Sequence, residues 1–268
     1  MSAASRHAHK SNMNPAQAPI AIVSAMHAEL AALLKAMPDE APARLAGRDF
    51  WCGHLNGQAV VAVLSGIGKV AAATTAALLL ERFGARAVLF TGVAGGLAPG
   101  VAVGDVVVAT ELLQHDMDAS PLFPRWEVPL YGRARFAADP ALAGTLAAAA
   151  ALALAEPHAT LGAEAVAEFA LHRPQVHRGL IVSGDRFVAT QAESEALRQA
   201  LPEALAVEME GAAVAQVCHD FGTPFTALRT ISDRADDSAH VDFQRFIDRV
   251  ASHYSLAVMM AWLGMQPG

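Results

Sequence analysis

The stretch Val207-Glu208-Met209-Glu210-Gly211 interrupts a hydrophobic run with two carboxylates and a thioether, and a helical pattern follows it. If the stretch ends a strand, Glu208 and Glu210 point to one face of the sheet and Met209 to the other. Two crowded acids are costly to bury unless a polar group separates them, and a ligand with vicinal hydroxyls would bind both through strong hydrogen bonds. If the stretch instead begins a helix, both acids interact favourably with the helix dipole. Taken alone, the stretch favours neither interpretation.

Apolar runs typical of strands alternate with helical patterns on both sides of this stretch. The predicted strands cover residues 20–23, 50–55, 58–64, 87–90, 103–110, 179–182, 201–207 and 225–230. The predicted helices cover residues 30–37, 69–83, 140–156, 193–201, 212–221 and 243–263, with a further short helical pattern within 157–174. This alternation predicts an α/β fold whose ligands lie at the carboxyl ends of strands. Because no repeat or composition break divides the chain, we expect one domain over residues 18–268, after a disordered tail formed by residues 1–17.

Composition excludes several classes of function. The 268 residues are 54% hydrophobic and 17% charged, yet no apolar block free of glycine and proline is long enough to span a membrane. A formal net charge of −7 argues against nucleic acid as a partner, because binding phosphates requires clustered Lys and Arg. The two cysteines, Cys52 and Cys218, lie far apart among apolar neighbours, which indicates buried thiols rather than a disulfide. We therefore expect a cytoplasmic protein.

Three segments partly match known binding motifs, for phosphate, for a dinucleotide and for a metal ion, but each match is incomplete. Residues 65–69 resemble a phosphate-binding loop but lack its first Gly and its final Ser or Thr, and residues 91–96 are not the dinucleotide fingerprint. His115 has two aspartates nearby but no further ligands at supporting spacing, so we expect no metal. The glycines of residues 91–96 still let a ligand approach the backbone closely.

The segment 115–131 is irregular and contains several aromatic residues and prolines. Such side chains are unfavourable in water, so we expect the segment to pack on a partner chain or to form the wall of a pocket.

Several short segments together resemble the purine nucleoside phosphorylase and nucleosidase superfamily, and within it the 5′-methylthioadenosine/S-adenosylhomocysteine nucleosidases. They are Ala25-Met26 with Glu29, residues 65–70, Thr91-Gly92 with residues 94–97, residues 104–108, residues 179–185, Val207-Glu208-Met209-Glu210 and Ile231-Ser232-Asp233. They occur in the family's order between residue 20 and about residue 246. Each segment is weak evidence, but the set is specific.

The resemblance implies a single-domain, three-layer αβα architecture with a mixed central sheet, and a homodimer without metal or organic cofactor. It also implies hydrolysis of the N-glycosidic bond of a 5′-substituted adenosine, with release of adenine. The phosphorolytic enzymes of the same superfamily are the nearest alternative, and a non-catalytic nucleoside-binding relative is another.

The resemblance also implies roles for individual residues. Asp233 would donate a proton to purine N7, Glu210 would bind the ribose hydroxyls, and Glu29 would activate the attacking water, with Arg229 beside it. The remaining residues expected to bind the substrate are Met209 against the sugar, Phe187 against the adenine ring, the backbone of Val188 at the base edge, and Glu208, Ser232, Ala94, Gly95 and Phe243.

The chemistry of the reaction is consistent with an acid at Asp233 and a base at Glu29. Adenine is a poor leaving group as an anion, so Asp233 must remain protonated near neutral pH, and burial is expected to raise its pKa. On the opposite face of the sugar a base must hold water against an oxocarbenium-like centre, as in inverting glycosidases. Glu29 and Asp233 come from opposite ends of the chain, so only the fold can bring them together.

The chain departs from the family pattern at Val93, in the segment 115–131 and in the segment 157–174, which resembles an insertion. Where related nucleosidases carry Ser, this chain has Val93, so we expect slower turnover or a differently held water. The neighbouring loops supply no Arg for a phosphate nucleophile, which argues against a phosphorylase. The apolar character of residues 115–131 favours an uncharged 5′ group and makes AMP a poor substrate, whereas aminodeoxyfutalosine remains an alternative.

Overall fold

A computed structural model describes residues 18–235 and 243–266. The predicted disordered tail, residues 1–17, lies outside the described residues. No helix in the described ranges is long and apolar enough to cross a membrane.

The described residues form one ten-stranded sheet and helices on both of its faces. The strands are β1 Ile20–Ser24, β2 Ala41–Leu45, β3 Arg48–Leu55, β4 Gln58–Leu64, β5 Ala87–Gly96, β6 Val106–Gln114, β7 Arg135–Ala137, β8 Val176–Ser183, β9 Ala204–Glu208 and β10 Phe225–Asp233. The helices are α1 His27–Lys35, α2 Lys69–Phe83, α3 Pro140–Ala155, α4 Pro157–Leu161, α5 Ala163–Glu168, α6 Gln191–Ala200, α7 Gly211–Phe221, α8 Phe243–Phe246 and α9 Ser252–Gly264. A π-helical turn, Ile247–Ala251, joins α8 to α9.

The sheet is mixed, and part of it closes on itself. The strand order is β10-β6-β8-β9-β5-β1-β4-β3-β2, and β10 also pairs with β5, so five strands form a barrel-like ring. Strands β1, β4, β5 and β10 run parallel in adjacent pairs, so their carboxyl ends lie at the same edge. The three-layer αβα architecture with a mixed central sheet, predicted above, is confirmed.

Two apolar layers hold the helices on the sheet. Helices α2 and α7 pack together on one face, whereas α1, α3 and α9 pack together on the other. Trp262 of α9 shows how the second layer excludes water: its side chain is buried, and its indole N–H donates to the Thr145 hydroxyl at 2.9 Å. Burying a side chain of this size contributes on the order of 2–3 kcal/mol.

Local sequence explains several boundaries. Asn56 and Gly57 both have positive φ, as a type I′ turn requires, and they join β3 to β4 as predicted. Asp139 accepts hydrogen bonds from the amides of Ala141 and Leu142 and so caps α3, whose first residue is a proline. Gly84 ends α2 in the left-handed conformation.

The prediction that β5 ends at Phe90 was wrong. The strand continues through the glycine cluster to Gly96, because those glycines pair with β10 on one side and with β9 on the other. Hydrogen bonds from two neighbouring strands outweigh the low strand propensity of glycine.

Two further elements did not follow from the sequence pattern. Strand β2 is mostly exposed and carries a proline, so it lacks the usual signal of a strand. The helix predicted over residues 243–263 is interrupted by the π-helical turn. Both cysteines are free thiols, as expected.

Candidate active site

A cavity of about 180 Å³ lies at the carboxyl ends of β5, β9 and β10. Its wall contains most of the residues that the sequence singled out: Ala94, Gly95, Phe187, Val188, Glu208, Met209, Glu210, Ser232, Asp233 and Phe243. The fold therefore brings together segments that lie as far apart in the sequence as Ala25 and Phe243. Glu29 and Arg229 do not form part of this wall; both are fully buried next to it.

Gly95 is the residue at which these strands meet. It pairs with Asp233 of β10 and with Val207 of β9. A Cβ atom at this position would lie 2.8 Å from the Cβ of Ala235 and 3.1 Å from Oδ1 of Asp233. Only glycine lets Asp233 approach β5 this closely.

The carboxyl group of Asp233 is nine-tenths buried at the end of β10. Its Oδ1 accepts from the amide of Ala235 at 2.7 Å, and its Oδ2 accepts from the hydroxyl of Ser232 at 2.7 Å. These two bonds fix the plane of the carboxyl group beside the cavity. A carboxyl group oriented in this way is suited to exchange a proton with a bound base.

Glu210 follows β9 and precedes the first residue of α7. Its Oε1 accepts from the backbone amide of Gly68 at 2.9 Å, which joins two loops across the cavity. Burial, and after it the neighbouring charge of Glu208, raise the pKa of Glu210 to about 7. A ligand that donates hydroxyl groups to this carboxylate would favour its charged form.

Glu208 and Arg229 form a buried ion pair, with Nη2 of Arg229 2.7 Å from Oε2 of Glu208. The carboxylate of Glu208 also accepts from the amides of Glu210 and Gly211 and from the hydroxyl of Ser183. Because these groups occupy both of its oxygens, we expect Glu208 to position its neighbours rather than to bind substrate. The two interpretations of the stretch Val207–Gly211 thus apply to different acids: Glu208 interacts with the start of α7, and Glu210 faces the ligand space.

Arg229 also donates to the backbone carbonyls of Phe90 and Leu228, and its guanidinium lies 4.0 Å from the ring centroid of Phe90. Its contacts are those of a group that holds β5, β9 and β10 in register at the cavity. A catalytic role for Arg229 stays a prediction. Its contacts indicate that it would act in that role by holding the strands at the cavity in place.

Glu29 lies in the first turn of α1 and is fully buried. Its Oε2 accepts from the amide of Met26 at 3.2 Å, and its Oε1 accepts from the hydroxyl of Ser255 at 2.8 Å. Ala25 and Met26, which precede α1, form part of the cavity wall, so Glu29 lies directly behind that wall. Burial raises the pKa of Glu29, whereas the Ser255 hydrogen bond and the charge of Arg229 oppose this shift.

Two aromatic rings line the cavity. Phe187 and Phe243 meet edge to face, with ring centroids 6.2 Å apart. Phe187 is 43% exposed, so a flat apolar ligand could cover a ring that now faces solvent. Met209 and Val188 complete the apolar part of the wall.

Lys69 and Asp116 connect the loops that carry these groups. Nζ of Lys69 lies 2.6 Å from Oδ1 of Asp116, whose Oδ2 accepts from the amide of Asp185 at 2.9 Å. Oδ1 of Asp185 in turn accepts from the amide of Lys69 at 2.7 Å. We call these three residues the loop clamp. It holds the loop that precedes Phe187 against the loop whose Gly68 amide binds Glu210.

The segment 115–131 contributes the loop clamp through Asp116 but no residue of the cavity wall. Its Leu122 and Leu130 are 84% and 91% exposed.

In the described part of the chain no three His, Cys, Asp or Glu side chains form a metal-binding group.

Sequence reasoning missed several wall residues and the group that holds Glu29. Ile67, Arg186 and Val207 line the cavity although no role was predicted for their side chains there. Ser255 lies within an apolar helical pattern, where nothing local distinguishes it from a serine of the core.

The chain is similar to known proteins over most of its length. A model of the phosphorylase superfamily matches residues 19–259. The 5′-methylthioadenosine/S-adenosylhomocysteine nucleosidase of Anoxybacillus flavithermus is 38% identical over 242 residues, which are 90% of this chain and 96% of that protein.

Solved structures show the same relationship. The 5′-methylthioadenosine/S-adenosylhomocysteine nucleosidase from Neisseria meningitidis in complex with methylthio-immucillin-A is similar with a TM-score of 0.81 and 35% identity, covering 93% of this chain and 100% of that chain. The futalosine hydrolase of Helicobacter pylori is similar with a TM-score of 0.78 and 31% identity, covering 93% of this chain and 99% of that chain.

Proposed function

The chain belongs to the phosphorylase superfamily and, within it, to the 5′-methylthioadenosine/S-adenosylhomocysteine nucleosidases, and we propose that it hydrolyses the N-glycosidic bond of both nucleosides and releases adenine. The observation that carries this proposal is the arrangement of three groups around one cavity: the carboxyl of Asp233, the carboxylate of Glu210 and the partly exposed ring of Phe187. The carboxyl of Asp233 suits a purine nitrogen, the carboxylate of Glu210 suits a pair of sugar hydroxyls, and the ring of Phe187 suits an aromatic base.

In the proposed reaction Asp233 donates its proton to N7 of adenine as the bond between C1′ and N9 breaks. Water attacks C1′ from the other face of the sugar and forms the new C–O bond, and Glu29 accepts the proton that this water loses. The products are neutral adenine and the free 5-substituted ribose. Developing positive charge on the sugar is stabilised by Glu210 in its ionised form.

Water rather than phosphate is the proposed nucleophile. Val93 presents an apolar side chain to the cavity. Arg186, the arginine of the wall in the described residues, pairs with Glu193 and has a largely exposed side chain. A phosphate dianion would need fixed cationic donors in this space, which these residues do not supply.

A 5′ thioether, which both proposed substrates carry, fits the cavity because its wall is mainly apolar, with Ile67, Met209 and Phe243 among its residues. The similarity to a futalosine hydrolase supports aminodeoxyfutalosine as the second candidate substrate.

We also propose that the chain acts as a cytoplasmic homodimer. Val70 at the start of α2 and Leu122 in the segment 115–131 are 78% and 84% exposed, and the ion pair between Lys69 and Asp116 joins these two elements. Apolar side chains exposed next to an active site are typical of a protein interface. The two free cysteines fit a reducing compartment.

The test is a panel of 5′-substituted adenosines assayed for free adenine, with and without inorganic phosphate. We expect release from 5′-methylthioadenosine and S-adenosylhomocysteine at rates independent of phosphate, and little release from AMP. A rate that rises in proportion to phosphate would show a phosphorylase instead.

The variant Asp233→Asn provides a second test of the proposed function. We expect binding of 5′-methylthioadenosine to persist while the rate of adenine release falls at least 100-fold, because the amide cannot donate a proton to N7 as an acid does. If the wild-type chain binds the nucleoside but releases no adenine, it is a binding protein.

A further inference from the structure

We propose that Ser255 is a positioning residue for catalysis: with Thr91, it orients the carboxyl of Glu29 and keeps it ready to accept the proton of the attacking water. This inference rests on the proposed function, which assigns Glu29 as the base, and it extends that function to a helix from the far end of the chain.

The geometry is a chain of two hydroxyl groups that ends at Glu29. The hydroxyl of Ser255 donates to Oε1 of Glu29 at 2.8 Å, and the hydroxyls of Ser255 and Thr91 lie 2.6 Å apart. When the Thr91 hydroxyl donates to Ser255, the Ser255 proton points at the carboxylate. All three side chains are fully buried, so water does not compete for these bonds.

The second oxygen of Glu29 is fixed independently, by the amide of Met26 at 3.2 Å. A carboxylate held at both oxygens cannot rotate about its last torsion. Its remaining lone pairs then have one defined direction, which a general base requires.

Burial and hydrogen bonding act on Glu29 in opposite directions. Burial raises the pKa of Glu29 because it disfavours the charged form, and the hydrogen bond from Ser255 is the largest effect that lowers it again. The positive charge of Arg229, on β10, also lowers the pKa of Glu29. The amides of Ala25 and Met26 act in the same direction from the turn before α1.

The π-helical turn Ile247–Ala251 determines which side chain reaches Glu29. In a π turn each N–H bonds to the carbonyl five residues earlier, so the turn contains an extra residue. One extra residue rotates all later side chains by about 100° around the helix axis. An uninterrupted helix from Phe243 would therefore direct a different side chain at α1, with which α9 packs.

The test compares pH profiles of adenine release from 5′-methylthioadenosine for the wild-type chain, Ser255→Ala and Thr91→Val. Loss of a hydrogen bond to a charged group raises the pKa of Glu29, so the acid limb of kcat should move to higher pH by about one to two units in Ser255→Ala. At neutral pH we expect kcat to fall roughly 10- to 100-fold with KM changed less than about threefold. Thr91→Val preserves the shape of the side chain and should shift the limb less, in the same direction.

Ser252→Ala is the matched control. Ser252 lies one turn earlier on α9, is also buried, and donates its hydroxyl to the carbonyl of Asp248 in its own helix. Its removal should leave the acid limb unchanged. Ser255→Thr retains the hydroxyl and should return the limb towards the wild-type position.

A measurement that does not need turnover completes the design. The infrared band of the protonated Glu29 carboxyl, assigned by its absence in Glu29→Gln, gives the pKa in the ligand-free protein. An unchanged titration and an unchanged acid limb in both Ser255→Ala and Thr91→Val would overturn the inference while the nucleosidase function stands. If the wild-type chain lacks nucleosidase activity but the pKa of Glu29 is higher in Ser255→Ala than in the wild-type chain, the contact between Ser255 and Glu29 is supported and the proposed function is rejected.

Discussion

Glu210 is the residue whose ionisation links the stability of the protein to its ligand. Its pKa rises from 4.5 in the unfolded chain to about 7 in the folded one, because burial and Glu208 disfavour its charged form. Below about pH 4.5 the group is protonated in both the folded and the unfolded chain and does not change the free energy of unfolding. As pH rises towards 7 only the unfolded chain ionises, so stability falls, by roughly 3 kcal/mol at most.

Glu210→Gln should remove this loss, because the amide cannot ionise and its oxygen can still accept from the amide of Gly68. We expect the variant to gain stability over the wild-type chain between pH 5 and pH 8, as measured by urea unfolding of the ligand-free proteins. Parallel stability profiles for the two proteins would contradict this assignment.

Val93 offers a prediction about rate. Replacing it by Ser places a hydroxyl at the cavity wall and should raise kcat for 5′-methylthioadenosine about 3- to 10-fold by holding the attacking water. Val93→Ala is the control for lost volume and should not raise kcat. Steady-state assays at saturating nucleoside decide between the two outcomes.

At the scale of single residues, the sequence indicated which side chains enter the cavity but not what each one contacts. Asp233 and Glu210 lie at the cavity as predicted. The pairing of Glu208 with Arg229 did not follow, because side chains 21 positions apart on different strands meet only once the register of the sheet is set. Ser255 was not identified for the same reason.

At the scale of elements, the loop clamp is the feature with the clearest consequence. Asp116→Asn removes the charge that pairs with Lys69 and weakens the bond to the amide of Asp185. The loops of Gly68 and Phe187 should then be held less firmly, so we expect KM for 5′-methylthioadenosine to rise about 5- to 20-fold with a smaller change in kcat.

Glu195→Gln is the control for this prediction. Glu195 pairs with Arg198 on α6, where an exposed pair contributes little. Replacing Glu195 should change neither KM nor kcat for 5′-methylthioadenosine. An equal effect of both substitutions on KM would mean that the loop clamp has no specific role.

Helices and buried strands were predictable because their periodicity is local. Strand β5 and the π-helical turn were not, because each depends on a neighbour: the glycines of β5 need β9 and β10 beside them, and the extra residue of the turn is retained where α9 packs on α1. Propensity alone favours a loop in the first case and a regular helix in the second.

At the scale of the whole molecule, the proposed homodimer can be tested through its exposed apolar residues. Light scattering should give about twice the chain mass of 27.9 kDa for the wild-type protein. Val70→Asp with Leu122→Asp should shift the protein towards monomer, because charges in an apolar interface are costly. Leu152→Asp is the control, since Leu152 is 63% exposed on α3, away from these elements. A wild-type monomer would reject the proposal.

The overall architecture was the most predictable feature, since it depends on many weak signals that agree. Alternating strand and helix patterns indicated an α/β fold, and the family motifs indicated a mixed sheet with helices on both faces. The closure of part of the sheet through the pairing of β10 with β5 was not visible, because strand order does not follow from the pattern of any one segment.

The order in which a ribosome releases the chain gives the long separation between Glu29 and Ser255 a biological meaning. Glu29 leaves the exit tunnel well before Ser255, which follows it 226 residues later. Under the proposed function, a nascent chain therefore cannot complete the contact between Ser255 and Glu29 until α9 has emerged and docked.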